Sequence, residues 1–130
     1  MQKLIATAAI LLTVLFSFAQ QTVSSDFYAM KNTQEAGIVL NIINSELNLS
    51  AEAQTKLKHL LEASAQSQSE QLAFSPASQE RINVMLMRQT NHIEANLKAM
   101  VTPEQYNTYL RKKADMVVKL TAARQADSGK

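Results

Sequence analysis

The chain contains no cysteine, and that absence closes several options at once. No disulfide, thiolate metal site or thiol nucleophile can be built, so the fold must be held by packing. Glycine and proline occur twice each in 130 residues and tryptophan is absent. So little glycine excludes a phosphate-cradling loop of the P-loop kind. Charge of either sign is also scarce in excess: 13 basic and 11 acidic side chains leave a formal +2. A nucleic-acid binder would show a concentrated basic footprint, so no nucleic-acid partner is expected. What remains is dominated by Ala, Leu, Gln, Glu, Lys and Met, all good helix formers.

The chain has one long hydrophobic run, Leu4 to Phe18, broken only by Thr7, Thr13 and Ser17 and preceded by Met1-Gln2-Lys3. A basic start, an apolar stretch and the small residues Ser17 and Ala19 before Gln20 predict a secretory signal peptide over 1–19, cut after Ala19. The run is shorter than the ~20 residues of a membrane-spanning helix. No cysteine follows it, so attachment of lipid through a thiol is excluded. The exported chain would keep about 110 residues, enough for one domain with a modest core.

The spacing of apolar residues predicts an all-α domain over 34–125, with about four helices in antiparallel hairpins and the second and third long. Residues 20–33 read as a flexible arm with Asp26-Phe27-Tyr28 as its landmark, and 126–130 as a disordered tail. A first helix over Gln34–Glu46 places Ala36, Val39, Leu40, Ile43 and Leu47 on one face and Ile38 and Ile42 on another. The run Ile38-Val39-Leu40 and Gly37 would also suit a strand, but the apolar positions do not alternate. Ser50 caps a second helix from Ala51 to about Ala73, with Leu57, Leu60, Leu61 and Ser64 inward. Its half beyond Ala63 is small and polar, which predicts weak packing. Ser75 and Pro76 open a third helix to about Met100, with Ile82, Leu86, Gln89, Ile93, Leu97 and Met100 as its seam.

Val101-Thr102-Pro103-Glu104-Gln105 is the best local signal. Thr102 caps, Pro103 takes the first turn, Gln105 reaches back to the Thr102 N–H, and Val101 can staple onto Tyr106. A fourth helix to about Arg124 then turns Tyr106, Tyr109, Leu110, Met116, Val117 and Leu120 inward and Arg111, Lys112, Asp115 and Lys119 outward.

Two segments, Leu49-Ser50-Ala51-Glu52-Ala53-Gln54 and Val101-Thr102-Pro103-Glu104-Gln105, resemble the paired Leu-Thr-x-x-Gln motifs of the Spy/CpxP family of periplasmic helical proteins. The likeness covers about Ser45 to Met116. Ser50 stands where the family has Thr, Gln54 falls one place late, and Val101 replaces Leu. The resemblance implies a periplasmic, all-helical protein, often a homodimer, acting as an ATP-independent chaperone for partly folded exported proteins. It equally allows an accessory of an envelope stress sensor, in some relatives responsive to metal.

No set of nucleophile, base and orienting group converges in the sequence, so no enzymatic activity and no cofactor are expected. His59 and His92 flank the Ser75-Pro76 turn at similar distances, but helical phase points them apart. Solvated histidines are expected, with no metal site inside one subunit, which leaves ligands shared across a dimer as the alternative. Ile82-Asn83-Val84-Met85-Leu86-Met87 is apolar nearly all round, leaving Val84 and Met87 outward beside Asn91, Glu94 and Lys98. The first helix, through Ile38 and Ile42, or a second subunit would cover this surface; otherwise it is open to clients. Arg111, Lys112 and Lys119 would either attract acidic unfolded chains or form a solvated face.

Overall fold

The computed structural model of the chain describes residues 27–74 and 78–128. The expected signal peptide, residues 20–26 of the arm, the Ser75-Pro76 cap and Gly129-Lys130 lie outside the described residues. Among the described residues four helices of fifteen residues or more follow one another: α1 Thr33–Leu47, α2 Ala51–Phe74, α3 Gln79–Met100 and α4 Pro103–Ser128. The fold is all-α, as the apolar spacing predicts.

Each boundary has a local cause. Asn32 caps α1 by accepting the Glu35 N–H (3.0 Å), and Glu35 in turn accepts the Lys31 N–H (2.6 Å). Asn48 ends α1 by taking the left-handed conformation (φ 56°), which asparagine tolerates better than most residues. Its N–H closes on the Asn44 carbonyl (2.8 Å), and the Asn44 side chain accepts the Leu49 N–H (2.9 Å). Ser50 then accepts the Ala53 N–H (3.1 Å) to start α2. α3 begins later than Pro76: Ser78, not Ser75, supplies the cap by accepting the Arg81 N–H (3.3 Å).

α1 packs on both α2 and α4, while α3 lies along α2 and touches α4 more sparingly. The core runs through Val39 and Ile43 of α1, Leu57 and Leu61 of α2, Ile93 and Leu97 of α3, and Tyr109, Met116 and Leu120 of α4. Ile38, Leu40 and Ile42 are half-buried against the same core, so the two-sided apolar character of α1 reflects its two helical neighbours. The strand alternative for this segment falls away.

Four expectations are corrected. The distal half of α2 is not weakly packed: Ser64, Ala65 and Gln68 are buried, Gln68 to 2 % exposure. Small side chains there let neighbours approach closely, and the one large polar group is fully bonded. The arm is not loose over 27–30, where Phe27, Tyr28 and Met30 are buried in the core cluster. On α4, Leu110 is exposed. It stands about 100° round from Tyr109, beyond the stripe that Tyr109, Met116 and Leu120 share. α4 also continues past Arg124 to Ser128, into the expected tail.

Candidate functional site

The two motif segments meet at one place. Thr102 and Gln105 form the reciprocal pair expected of them: Gln105 N–H donates to the Thr102 hydroxyl (3.1 Å) and Thr102 N–H to the Gln105 side-chain carbonyl (2.9 Å). The other end of the Gln105 amide donates to the Leu47 carbonyl at the end of α1 (3.1 Å). From the other motif, the Gln54 amide donates to the Leu49 carbonyl (2.9 Å). Both glutamines therefore hold the α1–α2 connection, one from α4 and one from α2. Displacement of Gln54 by one position from the motif register does not stop it reaching that connection. Val101 and Tyr106 both pack, half-buried, against the core. The motif residues tie the fold together and present no free chemistry.

A different surface is open. Val84 and Met87 on α3 are 44 % and 56 % exposed, and Leu72 on α2 is exposed near the same end of the hairpin. Neither α1 nor any other described helix covers them. Beside them a groove of about 530 Å³ is lined by Gln71 of α2 and by Glu80, Arg81, Val84, Met85, Arg88 and Gln89 of α3. Arg81 and Arg88 make no ion pair among the described residues. Spaced seven apart, they share a helix face with Val84 and Met85 between them.

The cations read as either attracting clients or forming a solvated face have partners of their own. Lys119 pairs with Glu46 of α1, Lys112 lies 3.8 Å from Asp115, and Arg111 donates to the Thr108 hydroxyl (3.2 Å). The bond from Lys119 holds the Glu46 carboxyl below its ordinary range. Ile38 and Ile42 are half-buried parts of the core rather than an open surface. His59 and His92 are both exposed, and no group of three or more metal-binding side chains occurs among the described residues.

Sequence reasoning missed a buried polar chain. The Tyr28 hydroxyl donates to that of Tyr109 (2.8 Å), and Tyr109 donates to the Glu94 carboxylate (2.7 Å). Lys113 pairs with the same carboxylate at 2.6 Å and lies 5.4 Å from the centre of the Tyr109 ring. Glu94 is thus drawn inward instead of facing solvent beside Met87. Burial pushes the ionisation of both Tyr28 and Tyr109 well above the usual phenol range, and the Glu94 charge adds to it. Tyr106 is raised for the same two reasons. A tyrosine that follows a short Asp-Phe in a polar stretch carries no periodic signal, so only the folded chain shows its partner.

Among the described residues no helix is long and apolar enough to cross a membrane. Comparison of the chain with protein-family models, with curated proteins and with solved structures finds no match.

Proposed function

We propose that the protein is an exported, Spy/CpxP-like periplasmic chaperone that binds partly folded proteins reversibly and without nucleotide. The observation that carries this reading is the open apolar surface formed by Leu72, Val84 and Met87, flanked by Arg81 and Arg88, which make no ion pair among the described residues. Exposed aliphatic and methionine side chains accommodate varied apolar sequences, because methionine adapts its shape at little cost. The arginines add attraction for acidic segments and keep the contact shallow and hydrated. A site of this kind holds a client weakly enough for it to continue folding while aggregation slows. The signal peptide read over 1–19 and the paired motifs support the same assignment. A homodimer would enlarge the surface by repeating it.

Light scattering of an aggregating client in the presence of equimolar protein tests the proposal. Suppression that is lost in Met87→Glu and Val84→Glu supports it; a folded helical protein that suppresses nothing rejects it. Recovery of one defined envelope sensor instead of many clients would assign the surface to a signalling accessory.

A further inference from the structure

The segment 27–30 belongs to no helix hairpin, yet it is among the best-held parts of the molecule. Phe27, Tyr28 and Met30 are all buried. The grip falls largely on the backbone. The Gln68 side-chain amide donates to the Tyr28 carbonyl (2.8 Å) and accepts the Met30 N–H (3.0 Å), spanning Ala29 with its two ends. The Arg124 guanidinium donates to the Ala29 carbonyl. Consecutive peptide groups are thus bonded by side chains of α2 and α4, in the way a receptor holds a bound peptide. Side-chain recognition is added at two points. The Tyr28 hydroxyl enters the Tyr109–Glu94 chain, and the Phe27 ring, edge-on to Tyr28 at 4.9 Å, lies by Tyr109, Met116 and Val117. Lys31 and Asn32, which join the segment to α1, are both exposed. The segment can therefore leave without unwinding α1.

The geometry points to a peptide-binding cleft between α2, α3 and α4, bounded by Gln68, Glu94, Tyr109 and Arg124, that residues 27–30 fill as a built-in ligand. Its external ligand is a short peptide segment with aromatic residues followed, two positions on, by a methionine or similar aliphatic side chain. Bonds from Gln68 and Arg124 read only backbone and tolerate varied sequence. The acceptor at Tyr109 favours tyrosine at the position of Tyr28. The cleft shares no residue with the Val84–Met87 surface, so an aggregation assay that fails leaves this inference standing, and the reverse also holds.

The test is fluorescence anisotropy with a labelled hexapeptide matching residues 27–32 and the full protein. Removing the built-in ligand's anchors in Tyr28→Ala/Met30→Ala should tighten binding of the hexapeptide by about tenfold or more over the unaltered protein. Adding Gln68→Leu should reverse that gain by about tenfold, the equivalent of one lost buried hydrogen-bonding partner. A helical double variant that binds no better than the unaltered protein overturns the inference. Should the double variant fail to fold, amide exchange in the unaltered protein decides. Saturating hexapeptide should speed exchange at Met30 while leaving Ile43 protected, and unchanged protection at Met30 refutes the cleft.

Discussion

Gln105 offers the sharpest check on what the paired motifs do. If its role were helix capping alone, Gln105→Ala and Thr102→Ala would cost the same, because each removes one half of a reciprocal pair. The structure gives Gln105 a second task, donation to the Leu47 carbonyl at the end of α1. Loss of a cap costs about 1 kcal/mol. A part-buried carbonyl left without its partner adds about 1–3 kcal/mol. Thr102→Ala should therefore lower stability by about 1 kcal/mol and Gln105→Ala by about 2–4 kcal/mol. Urea unfolding followed by circular dichroism gives both values from the shift in midpoint at constant slope. The double variant should cost about 1 kcal/mol more than Gln105→Ala, since that variant leaves the backbone N–H of position 105 bonded to the Thr102 hydroxyl. Equal losses for the two single variants would refute the tie between α4 and α1.

Other outcomes follow from the same structure. A Cβ added at Gly37 meets no atom within 4 Å; Gly37→Ala should stabilise by about 1 kcal/mol, visible as a raised thermal midpoint. Tyr28 and Tyr109 are held protonated well above the usual phenol range. The unfolded chain releases those protons near pH 10 and the folded chain does not, so stability is full below about pH 10 and falls above it. Unfolding measured against pH should show that alkaline decline, and Tyr28→Phe should make it shallower. Glu46 is depressed by Lys119, so its contribution is present at neutral pH and disappears as acid protonates it; Lys119→Met should remove that part of the acid dependence. Met87→Glu, on an exposed position, should change stability by less than about 0.5 kcal/mol while abolishing suppression of client aggregation.

Much of the framework was legible because it rests on short-range rules. Thr102, Pro103 and Gln105 predict a helix start, and that start is where α4 begins. The Val39, Ile43, Leu57, Leu61, Ile93 and Leu97 positions recur at helical spacing and are all buried. The outward phase of Val84 and Met87 follows from the same periodicity. Legibility stops where a residue's environment is made by distant chain. Gln68 reads as solvated because its type favours water, yet it satisfies two buried peptide groups forty and thirty-eight residues earlier. Arg124, placed at the end of the last expected helix, bonds the Ala29 carbonyl and lies 3.6 Å from Glu35.

Several of the misreadings share one physical origin. They concern polar side chains that face inward: Gln68, Tyr28 and Glu94. A core of leucine alone would bury the 27–30 segment only through shape, and its peptide groups would lose hydrogen bonds to water without replacement. Gln68 and Arg124 supply those replacements, while Tyr109 and Glu94 do so for the Tyr28 hydroxyl. Polar residues in this interior thus mark where backbone outside the helices enters the core. α3, meanwhile, keeps its apolar residues on both faces, although α2 and α4 cover only one. Buried polarity and exposed apolarity are therefore found in the same small domain, and they are the two features on which the proposed binding of polypeptide rests.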